Sequence, residues 1–330
     1  MRLPQPVRVA GTGHSLPAKI VTNADLSRSG GGGHGPGAAT LAAGFTKRHR
    51  CGRDEASSNL GAAAAAAAMA AAGIGIEDVD LIVTSSITPD LGFPSTACLI
   101  QGQLGAKEFF PAFDVVAGVG GFAAALVSAA GFVAAGASKA ALAVAAECSS
   151  RFERPSDPER GGFLGDGAAA VVVVPGEGAG QVERIGLCGG PSAPGAAGPL
   201  LELPGGYSAH PASRQTLEEG LHFFQFARDF EERLARACAG CGGRALSDEG
   251  ATLLVPPQAG EAFFLRLASL LGVPETLILR DCADTAFTLS ASQPLALDRA
   301  LRAGRVHPGS SVLIFGADGP HTGGYVLLRW

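Results

Sequence analysis

Tyrosine and tryptophan are nearly missing from this chain of 330 residues, which has two of the first and one of the second. Surfaces that stack single-stranded bases are built from such rings, so that class of partner has little to bind. Surplus positive charge is missing too. Lys and Arg number 25 against 30 Asp and Glu, a net charge of -5, and no basic field draws nucleic acid or an anionic membrane surface. Metal-ligand spacing is also lacking. Cys238-Ala239-Gly240-Cys241 is the single CxxC, with no second pair and no His at ligand distance, so it reads as small residues ending a helix before Gly242-Gly243. No metal is expected. The seven cysteines are odd in number and scattered, and no secretory leader precedes them. The expectation is reduced thiols in a cytoplasmic protein.

What the chain has is apolar length. Hydrophobic residues make up 47% of it, enough for a large core, and 330 residues suffice for two ordinary domains or one duplicated domain. The segment from Val115 to Ser138 carries no charge and is long enough to cross a bilayer. It is rich in Ala and Gly, is broken at Gly118, Gly120 and Gly121, follows one extended segment and runs into another. It therefore reads as a helix buried on all sides of a layered protein, as does Ala62–Ala72.

Strands and helices alternate along the chain. Strands are expected at Val7–Gly11, Asp80–Ser85, Phe110–Val115, Ala140–Ala146 and Ala168–Val174, with helices at Thr96–Leu104, capped by Ser95, and at 121–136. From about residue 185 the layout begins again. Helices are expected over Leu217–Cys238, Glu261–Leu271 and Ala291–Ala303, and strands at Thr252–Val255, Leu277–Leu279, Ser311–Phe315 and Gly324–Arg329. Gly30–Gly37 reads as a flexible excursion. One junction could carry chemistry. The run Pro111 to Phe122 is a strand, a Gly-rich turn and a helix start, and it sets the side chain of Val119 where the helix dipole and free N–H groups would favour an anion.

Several segments, in order and at matching spacing, resemble the β-ketoacyl-acyl-carrier-protein synthase III family of thiolase-fold condensing enzymes. They are Gly11-Thr12-Gly13 through Leu26, Phe93-Pro94-Ser95-Thr96-Ala97-Cys98, Ala112-Phe113-Asp114, Gly165-Asp166-Gly167-Ala168, Leu254 to Ala259, and Gly316 to Trp330. The resemblance implies an α/β fold of the thiolase type, a duplicated five-layer α-β-α-β-α arrangement with halves at 1–180 and 181–330. It also implies a Claisen condensation: a cysteine thiolate takes an acyl group from a thioester, and His and Asn assist decarboxylation of a malonyl thioester.

By this resemblance the family's reacting residues are replaced. Its cysteine falls at Val119, its histidine at Pro257, the asparagine closing that run at Gly260, and its second catalytic asparagine at Phe287. Valine, proline and phenylalanine have no side-chain donor. The backbone amides of Val119 and Gly319 are the remaining oxyanion donors, and His321, after Pro320, is the candidate substitute. Arg151 matches the arginine that stacks on coenzyme A, while the accompanying tryptophan falls near Ala38 and the carrier-protein arginine at Ala262. Phe93 matches the residue that crosses the dimer interface into the partner's acyl channel. Cys98, Cys148 and Cys282 are substitute nucleophiles only in name: the first two read as small core hydrophobes, and Asp281 and Asp284 would hold the Cys282 thiol protonated.

The leading expectation is a catalytically inactive ketosynthase III-like subunit of fatty-acid or polyketide assembly, pairing as homodimer or heterodimer with an active homologue. Alternatives are an active acyltransferase or thioester hydrolase with an altered site, whose turnover His321→Ala would abolish, and a non-catalytic acyl-chain binding protein. No cofactor is expected, and coenzyme A or phosphopantetheine thioesters enter only if the chain is active.

Overall fold

A computed structural model describes residues 3–29, 35–154, 157–189, 199–246, 250–319 and 322–330. Its frame is nine strands: β1 (Val7–Ser15), β2 (Leu81–Ser85), β3 (Ala112–Val115), β4 (Ala141–Glu147), β5 (Gly167–Pro175), β6 (Gln181–Cys188), β7 (Leu253–Val255), β8 (Ser311–Asp318) and β9 (Thr322–Arg329). They lie in the order β7-β8-β9-β6-β1-β5-β4-β2-β3. The central strands β2 and β4 are buried along their whole length, which is why they read as unbroken apolar runs.

The pairing repeats. β2 runs parallel to β4, β4 antiparallel to β5, and β5 antiparallel to β1; β7 runs parallel to β8, β8 antiparallel to β9, and β9 antiparallel to β6. The two sets meet at a single pair, Arg8 with Gln181, beside a hydrogen bond of 2.9 Å from the Val9 amide to the Gly180 carbonyl.

Helices make the other layers. α1 (Ser57–Ala72) and α2 (Thr96–Gln103) cover the outer face of β1, β2, β4 and β5; α3 (Gly121–Ala134) and α6 (Ser292–Arg302) lie in the middle; α4 (Phe230–Leu246) covers β8 and β9, with α5 (Glu261–Leu271) against it. This is the duplicated five-layer arrangement. Contact is close where glycine faces alanine. A Cβ on Gly11 or Gly13 of β1 would overlap the backbone of Ala68 in α1, so the Gly11-Thr12-Gly13 run and the alanine stretch are two sides of one contact. α3 packs on β2, β4 and β5 and also on β8 and β9, which explains a helix apolar all round. No described helix is long and apolar enough to cross a membrane.

Three expectations fail here. The helix over Leu217–Cys238 is instead a short helix, Arg214–Glu218, stopped at Gly220 (φ +69°), then an extended pair, Leu201–Glu202 with Gln225–Phe226, and then α4. The interruption lets Phe224 and Phe226 turn into the core, which helical periodicity cannot foresee. Leu277–Leu279 is no strand but a 3-10 turn over Glu275–Leu277 after Pro274, followed by one bridge, Leu254 to Ile278. α4 does not end at Cys241, and that cysteine is not reduced. The helix continues through Gly242 and Gly243, and Cys241 is joined to Cys188 of β6 by a disulfide with a Cα–Cα distance of 5.7 Å. Of the glycine excursion, residues 30–34 lie outside the described residues, and Gly35–Gly37 leads into a short helix, Ala38–Ala42.

Candidate functional site

The junction between β3 and α3 is a 3-10 turn, Gly118–Gly120. Gly118 has φ +54°, and a Cβ there would strike the Asp318 carboxylate; Gly120 presses on the backbone of Gly316 and Ala317. Both glycines are needed for β8 to pass this closely. Between them Val119 is wholly buried at 0% exposure, inside an apolar cluster that includes Phe163, Leu200, Phe230 and Phe287. Among the described residues, the side chain at the helix start is surrounded by hydrocarbon.

Phe287 closes the same cluster from another direction, also at 0% exposure. Its amide donates to the Phe163 carbonyl at 3.1 Å and its carbonyl accepts from Gly165 at 3.1 Å, which pins its register. Its flanks are strained, since Ala286 (φ 56°) and Leu289 (φ 48°) occupy the left-handed region without being glycine. The Phe287 ring lies 5.9 Å from that of Phe163 and 6.2 Å from that of Phe230. Phe163 in turn meets Phe45 at 5.2 Å and Phe226 at 5.9 Å. The Arg160 guanidinium covers the group, 4.7 to 5.2 Å from the centres of Phe163, Phe226 and Phe230, while both its terminal nitrogens bind Glu231 at 2.6 and 3.1 Å. Pro257 is buried on the segment after β7, between cluster members Leu254 and Ala259. There the neighbouring Gln258 side chain supplies the polar contacts, donating to the carbonyls of Pro256 and Leu279 at 2.9 and 3.0 Å.

Beside this apolar cluster is a cavity of about 620 Å³. Its lining includes the buried Ala117 and Phe224, the less exposed Ile87, Leu203 and Gly118, and the exposed Leu91, Phe93 and Val116. Phe93 is 90% exposed. The cavity thus has both Phe93 and the turn before Val119, at Ala117 and Gly118, in its lining.

The other expected residues are dispersed or occupied. Arg151 donates to the backbone carbonyls of Gly52, Arg53 and Glu55, so its guanidinium is held against that turn. Ala38 opens the short helix named above, and Ala262 follows Glu261, which pairs with Arg280 at 2.8 Å. Gly260 has φ +101° and packs on Ala43. Gly319 turns the β8–β9 hairpin at φ +62°, whereas Pro320 and His321 lie outside the described residues. Cys98 is exposed, not part of the core, because its face of α2 turns outward. Cys148 is buried with its sulfur 2.8 Å from that of Cys51. Burial, with help from Glu261 and Asp281, pushes the Cys282 thiol up to about 12. Among the described residues no group of three or more His, Cys, Asp or Glu is placed to hold a metal.

Several buried acids carry little signal in the sequence, and one of them borders the cavity wall. Glu147, the last residue of β4, is 0% exposed and accepts from Ser290 Oγ at 2.5 Å, Thr88 Oγ1 at 2.6 Å and the Ile87 amide at 3.2 Å. It ties the cavity wall to the loop after Phe287. A charged residue closing a strand of six apolar ones was the available signal. Burial raises its carboxyl to about 7 from an ordinary 4.5, against the opposing hydrogen bonds. The folded chain therefore keeps a proton that the unfolded chain has released between those values. The group's contribution to stability is full below the lower value, declines as pH rises through the window and is gone above the upper one. Across that window the chain should lose up to about 3 kcal/mol relative to Glu147→Gln, which cannot titrate. Urea denaturation of both proteins at about pH 5 and about pH 8 checks this, and parallel behaviour of the two would reject it.

Residues 113–186 match the family profile of 3-oxoacyl-[acyl-carrier-protein] synthase III, and residues 244–330 match that of the C-terminal part of the same enzymes. The chain is 36% identical over 324 residues to β-ketoacyl-[acyl-carrier-protein] synthase III of Thiobacillus denitrificans, covering 98% of this chain and 99% of the other. It is 35% identical over 322 residues to the protein of the same name from Caulobacter vibrioides, covering 97% and 98%. Among solved structures, 3-oxoacyl-(acyl carrier protein) synthase III from Pseudomonas aeruginosa superposes with a TM-score of 0.85 at 28% identity, covering 99% of this chain and 98% of that one. The priming β-ketosynthase of the R1128 polyketide pathway superposes with a TM-score of 0.81 at 26% identity, covering 100% and 98%.

Proposed function

This chain belongs to the β-ketoacyl-[acyl-carrier-protein] synthase III family, and from that premise we propose that it is a non-condensing subunit of fatty-acid or polyketide assembly that pairs with an active homologue. One observation carries the proposal. Val119 and Phe287, the positions that resemblance assigns to the nucleophile and an asparagine, are wholly buried in one aromatic cluster. Condensation needs a nucleophile and donors that face the thioester. Val119, Pro257 and Phe287 carry no polar side-chain group, so burying them adds no unsatisfied donor of their own.

The pairing surface is argued from the sheet. β3 is the terminal strand and pairs with β2 alone among the described strands, so its outer edge is free for a partner. Phe93, Phe109 and Val116 are 90%, 85% and 75% exposed, and Phe109 and Val116 flank that strand. An open edge with large apolar neighbours is a liability that a partner subunit removes. The cavity at Phe93 then becomes part of the shared boundary.

The test is intact-mass analysis after incubation with acyl-coenzyme A and acyl-carrier-protein donors, with thiol release followed in parallel. The chain should gain no acyl group and release no thiol, and Val119→Cys alone should not restore condensation because its sulfur would point into the cluster. A stoichiometric adduct on the unmodified chain would overturn the proposal and direct attention to His321 and the free cysteines. The 620 Å³ cavity supports a second reading, acyl-chain binding without turnover. Retention of an acyl chain on the isolated protein, with no partner needed, would favour it.

A further inference from the structure

Cys51 and Cys148 come from segments 97 residues apart, yet their sulfurs lie 2.8 Å from each other. A disulfide requires about 2.05 Å, so closure needs a sulfur displacement smaller than 1 Å, within reach of side-chain rotation. Both backbones are already held. The Cys51 amide donates to Asp166 Oδ2 at 2.7 Å, and the Cys148 amide donates to Thr88 Oγ1 at 2.9 Å. Asp166 is itself wholly buried and accepts from the Ser150 amide and hydroxyl, both at 2.7 Å. The pair is therefore fixed by hydrogen bonds that do not depend on the sulfurs. The two differ in access: Cys51 is half-buried, whereas Cys148 is 3% exposed.

We propose that Cys51 and Cys148 form an oxidisable dithiol site that closes to a second disulfide by exchange with a low-molecular-weight disulfide of the glutathione class. Cys51, the accessible thiol, attacks one sulfur of the small disulfide as its thiolate, forming a mixed disulfide and expelling one small thiolate, which takes up a proton. The Cys148 thiolate then attacks the Cys51 sulfur, the protein disulfide forms, and the second small thiol leaves. Two protein thiols are oxidised and one small disulfide is reduced to two thiols, so atoms and electrons balance. The hydrogen bond to Cys148, burial and the nearby Asp166 carboxylate all raise the Cys51 thiol. The first step is accordingly slow at neutral pH and faster in base. The bond would fasten Cys51, which leads from the short strand Lys47–Arg50 into the turn gripped by Arg151, onto the end of β4 beside Glu147.

The experiment treats the full chain with oxidised glutathione, quenches in acid, alkylates in denaturant with N-ethylmaleimide and maps the peptides by mass. The expected map shows the Cys51 and Cys148 peptides cross-linked and unalkylated, while exposed Cys98 carries glutathione and shows that the oxidant acted. In Cys148→Ser the cross-link should be replaced by a glutathione adduct on Cys51, and in Cys51→Ser the buried Cys148 should be alkylated and otherwise unmodified. Alkylation of both Cys51 and Cys148 in the wild-type protein whose Cys98 is modified would overturn the proposal, as would their appearance in other pairs. The wild-type map decides the matter even if a variant fails to fold.

Discussion

Phe287→Asn should lower the free energy of unfolding by about 4 kcal/mol, a large fraction of what holds an ordinary protein folded. Two losses add. Removing the ring opens a void between Phe163 and Phe230, and the new amide is placed at a wholly buried position walled by aromatic rings. Phe287→Leu keeps the hydrocarbon and should lose about half as much. Chemical denaturation of the three proteins provides the comparison. An asparagine variant as stable as its parent would mean that position 287 faces water, and the account of a filled site would fall with it. The resemblance makes this substitution the natural attempt at repair, and the packing makes it a damaging one.

Phe93→Asp should weaken the proposed subunit pairing by about 100-fold while leaving the fold of each chain intact. At 90% exposure the ring contributes almost nothing to its own core, so the charge meets water in the free subunit and apolar surface in the pair. Sedimentation over a range of concentrations measures the change in Kd. Leu217→Asp serves as control: Leu217 is also exposed, at 59%, but belongs to the short helix after Ser213, away from the cavity rim. Equal effects at both sites would count against the edge of β3 as the pairing surface.

Most of the layered frame could be read in advance because its signals are local. α5 was expected at the bounds it has, since its apolar periodicity is set off by Gly260 and Gly272, the latter at φ +66°. β2 and β4 announce themselves as apolar runs bounded by polar loops. The failures are non-local. Gly220 ends a helix that periodicity alone would continue, because Phe224 and Phe226 gain more by entering the aromatic cluster. Cys188 and Cys241 are 53 residues apart, and nothing in either neighbourhood announces the other. The site divides in the same way. The glycines around Val119 mark a tight turn, but its burial depends on Phe163 and Phe287, which arrive from distant segments. Glu147 reads as solvated, as a carboxylate ending a strand ordinarily is, and only the fold brings Ser290 and Thr88 to it.

The two-sided burial of α3 has a consequence for the order in which this chain can be made. The helix is complete at Ala134, but part of its covering is β8 and β9, the second of which ends at Arg329. Roughly two hundred residues separate the two, and at ribosomal speeds of about 5–20 residues per second that face waits about 10–40 s for its cover. Throughout that interval an alanine-rich, uncharged helix surface is open to other nascent chains. Dependable production thus rests on whatever shields the growing polypeptide, and raising the rate of synthesis in a host that lacks such shielding will cost soluble yield.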